Sequence, residues 1–117
     1  MNIAILDDSK EDLQQMKSVV SSYYESLNTS ADIRLYSSAE SFFSKYSPGF
    51  YGLIIMDIYM GTMTGMDAAR KLRDAKDTAA LIFITSSDAY AVESYDVQAS
   101  YYLLKPFDPE KLCRILS

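Results

Sequence analysis

The sequence contains no histidine and no tryptophan, and its 117 residues include a single cysteine, Cys113. Without histidine there is no Ser-His-Asp triad, no imidazole general base and none of the commonest zinc sites. One cysteine forms neither an internal disulfide nor a cysteine metal cluster, so a reducing cytoplasm is the natural setting. No apolar run approaches the roughly 18 residues of a membrane span. The opening segment Met1-Asn2-Ile3-Ala4-Ile5-Leu6-Asp7-Asp8 lacks a basic stretch and turns acidic at once, which makes it a poor signal peptide. Positive charge is not in excess either. The net charge is −5, and a chain of that sign repels a nucleic-acid backbone. Chemistry is left to carboxylates, hydroxyls, lysines or a borrowed ion.

What the chain does have is enough apolar residues to bury a core, 49% against 23% charged, at the length of one domain. Short apolar runs alternate with segments of helical period from end to end. Ile3-Ala4-Ile5-Leu6 reads as a buried strand. Leu13, Met16, Val20, Tyr23 and Leu27 then recur every three or four residues, as one helix face does. Asp8 or Ser9 can cap that helix, with Glu11 as a capping-box partner. Ile33-Arg34-Leu35-Tyr36 is a second strand, followed by a short helix with Phe42, Phe43 and Tyr46 and a break at Ser47-Pro48-Gly49. Leu53-Ile54-Ile55-Met56 is the most hydrophobic strand and ends on Asp57. A helix from about Met66 to Ala75 precedes the strand Leu81-Ile82-Phe83-Ile84, which ends on Thr85. A weaker helix around Ala89–Tyr95, the strand Tyr101-Tyr102-Leu103-Leu104 and a helix starting near Pro109 complete the pattern.

Five strand–helix units with apolar strands imply a doubly wound α/β fold, a parallel sheet with helices on both faces. Ligands of such sheets bind beyond the carboxyl ends of the strands. Asp7, Asp8, Asp57, Thr85 and Lys105 each follow a predicted strand, so all five fall on that edge. Any one of them alone has a plain explanation: a helix cap, a polar strand end, a surface lysine. Their joint placement with complementary charge does not. Three gathered carboxylates call for a raised pKa or a cation, and a hard ion such as Mg²⁺ suits carboxylate oxygens. Lys105 adds positive charge and Thr85 a hydroxyl donor, the surroundings that a phosphoryl group in flight needs. Asp57 can then be the nucleophile, forming an aspartyl-phosphate.

Asp7-Asp8, Asp57-Ile58-Tyr59-Met60, Ile84-Thr85-Ser86 and Lys105-Pro106-Phe107 occur in the order of the receiver domain of two-component response regulators, which the chain resembles over its whole length. The resemblance implies a five-stranded flavodoxin-like sheet of order 2-1-3-4-5. It implies Asp57 as phosphoacceptor and Mg²⁺ (or Mn²⁺) held by Asp8 directly, by Asp7 directly or through water, by Asp57 and by the backbone carbonyl of Tyr59. It further implies phosphoryl contacts from Thr85 and Lys105, a cis Lys105–Pro106 peptide, and Tyr102 as a switch aromatic paired with Thr85. The stretch Ala89-Tyr90-Ala91-Val92-Glu93-Ser94-Tyr95-Asp96-Val97-Gln98-Ala99, with Tyr101 to Phe107, is similar to the LytTR-type subfamily.

From the resemblance, residues 1–117 are expected to form one receiver domain, with the last helix cut short and no effector domain present. It is expected to be a cytoplasmic signalling switch more than an enzyme, catalysing its own phosphorylation and slow dephosphorylation. The phosphodonor histidine comes from a partner, a sensor histidine kinase. Output, including a possible homodimer, runs through the surface of the fourth helix, fifth strand and fifth helix. DNA is reached only through an effector domain. Two positions depart from the family pattern. Gly61 stands where proline is common, and bulky Tyr59 is expected to limit water at the acceptor. Tyr90, Tyr95, Tyr101 and Tyr102 fall in the output region, where core packing and a partner patch are both open readings. A flavodoxin-like electron carrier fits poorly, because Asp7-Asp8-Ser9 would repel a flavin phosphate. A haloacid-dehalogenase-like phosphatase would need a second Asp two positions after the first, and that is absent. A non-phosphorylated pseudo-receiver remains the alternative.

Overall fold

A computed structural model describes all of the chain, Met1–Ser117. Strands β1 (Asn2–Leu6), β2 (Asp32–Tyr36), β3 (Leu53–Met56), β4 (Ala80–Thr85) and β5 (Tyr101–Leu104) form one sheet. Every pairing is parallel, in the order β2-β1-β3-β4-β5. Helices α1 (Lys10–Ser26), α2 (Ala39–Phe43), α3 (Gly65–Asp74) and α4 (Pro109–Leu116) cover it.

Alternation within the apolar runs decides which helix covers which face, because successive strand residues point to opposite sides. Ala4, Leu6, Ile54, Met56, Leu81 and Phe83 share one core with Phe42 of α2 and Ala69 and Leu72 of α3. Ile3, Ile5, Ile55, Ile82 and Ile84 share the other with Leu13, Met16 and Val20 of α1 and Leu112 of α4. Burial on both faces holds for β1, β3 and β4, whereas the edge strands β2 and β5 are partly exposed. Tyr24 rather than Tyr23 packs against the α1 core, and Leu27 lies exposed beyond the helix end. No helix is long and apolar enough to cross a membrane.

The helix expected around Ala89–Tyr95 is not there. Turns and a three-residue 3₁₀ segment, Glu93–Tyr95, take its place. Val92 and Tyr95 are 81% and 80% exposed, and Ser94 is the one buried residue of Ala89–Tyr95, so no apolar stripe pays for a longer helix. The Ser94 hydroxyl also donates to the Ala91 carbonyl, a local bond that competes with helical geometry.

The opposite end of the sheet is tied by groups that the sequence reading passed over. Asp77 is buried and accepts hydrogen bonds from the Tyr46 hydroxyl and from the Gly49 and Ala79 backbone N–H groups. Burial alone would raise its pKa, but these three donors bring it below the usual carboxylate range. The Arg73 guanidinium donates to the carbonyls of Asp77, Ala79, Val97 and Gln98, joining two loops below β4 and β5.

Candidate functional site

The strand ladder runs one residue past each strand end and so carries the polar tips into register. Asp7 N–H donates to Tyr36 O, Asp57 N–H to Leu6 O and Lys105 N–H to Thr85 O, at 2.8 to 3.0 Å. Backbone pairing, before any side-chain attraction, sets these residues at one edge. The Lys105–Pro106 peptide is cis, as the resemblance implied.

Lys105 is the hub. Its ammonium donates to Asp7 Oδ2 at 2.8 Å, Asp12 Oδ2 at 2.7 Å and Asp57 Oδ2 at 2.9 Å. Asp57 is almost fully buried, and its Oδ1 accepts the backbone N–H groups of Ile58 and Tyr59 at 2.6 and 3.2 Å. Asp7 is completely buried, with Oδ1 accepting the Ser9 N–H at 2.9 Å. Burial pushes the Asp7 carboxyl up despite its bonds to Lys105 and Ser9. Burial acts the other way on Lys105, but hydrogen bonds to Asp12, Asp7 and Asp57 outweigh it and hold the ammonium charged well above its ordinary range.

Thr85 ends β4 fully buried, and its hydroxyl is the one buried side-chain polar atom without a hydrogen-bond partner. Such an atom is costly unless something comes to bond it. Tyr102, on the neighbouring strand, donates from its hydroxyl to the Ser87 carbonyl and packs its ring 6.1 Å from Phe83. Tyr59 is half-exposed and leans edge-on against Tyr90, ring centroids 6.0 Å apart.

Asp8, next along the chain from Asp7, is exposed. Consecutive residues at a strand end project to opposite sides, so only Asp7 reaches Lys105. Asp7 and Asp57 therefore meet at Lys105, while Asp8 stands on the solvent side of the same rim. Of the two candidate caps for α1 the structure uses Ser9, without the expected capping box. Ser9 caps α1 through the Asp12 N–H at 3.2 Å, and Glu11 takes no part. Asp12 itself was missed as a site residue. Its signal lay in the helix start, because a helix beginning directly after Asp7-Asp8 sets its first turn beside the same rim. The donor chemistry still suits a hard divalent cation. Three carboxylates surround a single ammonium, which leaves negative charge in excess among oxygen donors.

The segment after the acceptor is shaped by two glycines. Gly65 opens α3 against the strand end, its N–H donating to Ile58 O at 2.8 Å. Gly61 adopts φ +86°, which proline cannot reach, so this loop follows a path closed to the family's usual residue. The output region splits the four tyrosines. Tyr95 and Tyr101 are exposed, while Tyr90 and Tyr102 pack partly against the core. Val92, Ser94, Tyr95, Ala99, Tyr101 and Tyr102 line a cleft of about 410 Å³ there.

A parallel sheet of this order, with acidic tips around a strand-end lysine and a cis proline after it, defines a receiver class. The chain belongs to the response regulator receiver domain family, which it matches over residues 3–117. It is 32% identical to the sensory transduction protein LytT of Bacillus subtilis (strain 168) over 89 residues, 76% of this chain and 37% of that protein. It is 38% identical to LytT of Enterococcus faecalis over 64 residues, 55% of this chain and 26% of that protein. These relatives set it within the LytTR-type subfamily, and it spans well under half of their length. In fold it is similar to the HemR receiver domain from Leptospira biflexa, with a TM-score of 0.85 at 14% identity over 98% of this chain and 90% of that one. It is likewise similar to the response regulatory domain of protein mrkE from Klebsiella pneumoniae, with a TM-score of 0.84 at 19% identity over 99% and 92%.

Proposed function

We propose that this receiver is a phosphorylated switch in which Asp57 accepts a phosphoryl group in a Mg²⁺-dependent reaction. The observation that carries this reading is the Lys105 ammonium bonded to Asp57 beside the buried, unpartnered Thr85 hydroxyl. An Asp57 carboxylate oxygen forms the new bond to phosphorus as the donor's phosphorus–nitrogen bond breaks, its electron pair leaving with the imidazole. That imidazole belongs to a sensor histidine kinase, since this chain has no histidine. Lys105 neutralises a phosphoryl oxygen, and the Thr85 hydroxyl donates to another. Asp7, Asp8, Asp57 and the Tyr59 carbonyl would hold the Mg²⁺ (or Mn²⁺), whose charge offsets that of the phosphoryl oxygens during transfer.

The added charge, roughly −1.5 to −2, draws Thr85 toward the acceptor and opens space behind it for the Tyr102 ring. This shifts the surface made by the Glu93–Tyr95 turn, β5 and α4, through which a homodimer and an output form. The output is transcriptional, through a DNA-binding domain of the kind LytTR-type regulators carry. Binding can bias the two states only by its different affinity for each. Exposed Tyr95 then belongs to the contact surface, and Tyr95→Ala is expected to weaken self-association of the activated protein, read by analytical ultracentrifugation. Unchanged association removes Tyr95 from that surface. Tyr59 lies two residues after the acceptor, its backbone N–H bonded to Asp57 Oδ1, so Tyr59→Ala is expected to speed hydrolysis of the phosphoryl group severalfold. An unaltered decay rate counts against its role as a water barrier.

The direct test is mass spectrometry after incubation with acetyl phosphate and Mg²⁺. One phosphoryl group on the native chain and none on Asp57→Asn is the expected result. A second reading, an interaction module that is never phosphorylated, is favoured by the Lys105 ammonium, whose three N–H groups are already taken by carboxylates. It requires that no phosphoryl group be taken up by either protein.

A further inference from the structure

Lys105 has three N–H donors, and all three are engaged by Asp7, Asp12 and Asp57. A phosphoryl oxygen arriving at Asp57 can gain an N–H from this ammonium only if one carboxylate releases it. The three are not equal in what release would cost. Asp7 is completely buried and is anchored a second time by the Ser9 N–H, so it has no water to turn to. Asp57 is the reacting group itself. Asp12 sits in the first turn of α1, and its side chain is 35% exposed against 0% for Asp7. A cleft of about 360 Å³, lined by Asp12, Gln15, Ser86 and Lys105 and by Pro106 and Phe107, lies beside it and gives a released carboxylate room in solvent. The carboxylate that lets go is the one that hydrates most easily.

We propose that Asp12 is a positioning residue that tethers Lys105 before transfer and competes with the phosphoryl group for its third N–H. This rests on Asp57 being the acceptor. In the resting protein the tether holds the ammonium beside the acceptor and α1. On phosphorylation Asp12 swings into the cleft, and Lys105 exchanges a carboxylate oxygen for a phosphoryl oxygen. Asp12 thereby sets how readily the domain is charged, without touching the phosphoryl group.

The test measures binding of trifluoroberyllate with Mg²⁺, an aspartyl-phosphate mimic, and the rate of phosphorylation by acetyl phosphate. Asp12→Asn is expected to tighten the first and speed the second by about three- to tenfold, the effect of freeing one charge-assisted hydrogen bond in a partly solvated place. Asp12→Glu restores the tether and returns both values toward the native ones. Glu11→Gln, which removes an exposed charge next door, leaves them unchanged. The decisive comparison is made in the Lys105→Ala background, where Asp12→Asn is expected to bring no gain. Native-like or weaker binding in Asp12→Asn overturns the proposal, and so does an equal gain with Lys105 absent, which marks a general charge effect. Failure of the acceptor reading looks different. The native chain then takes up no phosphoryl group, or takes it up equally in Asp57→Asn, and the role of Asp12 falls with it.

Discussion

Gly65→Ala is expected to destabilise the fold by about 2–3 kcal/mol, at the upper end of what overpacking costs, and to slow phosphorylation about a hundredfold. A Cβ at this position would lie 2.3 Å from the Asp57 carbonyl oxygen and 2.9 Å from Ile58 Cα. Both are backbone atoms, so no side chain can swing aside to relieve the contact. Either α3 retreats, losing the 2.8 Å bond from Gly65 N–H to Ile58 O, or the acceptor segment is pushed out of line. A displacement near 1 Å at a reacting group costs on the order of a hundredfold in rate. Urea melts and acetyl phosphate kinetics read the two effects. Gly61→Ala is the natural control, since a Cβ there meets open space and only the positive φ is penalised, at about 1 kcal/mol. If Gly65→Ala behaves no worse than Gly61→Ala, close approach is not what glycine provides here.

Lys105→Ala is expected to have a similar cost by a different route. It leaves the buried Asp7 carboxylate without its ammonium, a change worth about 3–5 kcal/mol when a buried pair is broken. The deficit depends on pH, and its sign follows from Asp7. The folded-state pKa of Asp7 lies above its unfolded value, so protonation favours the folded state. That contribution is complete below the unfolded pKa and is lost as pH rises through the folded one. Removing Lys105 raises the Asp7 pKa further. The variant is therefore expected to be weakest at neutral pH and to recover part of its stability as pH falls toward the carboxylate range. At the alkaline end the native protein loses the Lys105 contribution as pH climbs through that group's own raised pKa, a loss that Lys105→Ala cannot show. Thermal melts of both proteins from mildly acidic to alkaline pH check this. A deficit of constant size across that range contradicts it.

Sequence pattern carried the fold because alternation and burial coincide in it. Ile3, Ile5 and Ile55 fall on one face and Ala4, Leu6 and Met56 on the other, so the central strands could be read without knowing their neighbours. The tips Asp7, Asp57, Thr85 and Lys105 were legible for the same reason, each being the residue where an apolar run stops. The helix expected at Ala89–Tyr95 failed where residue periodicity was weakest, in a segment whose large side chains Val92 and Tyr95 ended up outside. Asp12 was missed because adjacency in sequence is not adjacency in space. A strand end sends Asp7 inward and Asp8 outward, while a helix turn brings Asp12 back across the rim to Lys105. The tether between Asp77 and Tyr46, 31 residues apart, left no periodic trace at all.

The most direct measurement is a crystal structure of the protein with Mg²⁺ and trifluoroberyllate. Beryllium bonded to an Asp57 carboxylate oxygen is expected, with Thr85 Oγ1 and Lys105 Nζ each within hydrogen-bond distance of a fluorine. Beryllofluoride seated elsewhere, or on Asp57 with Thr85 still unpartnered and Lys105 turned away, would contradict the site as assigned.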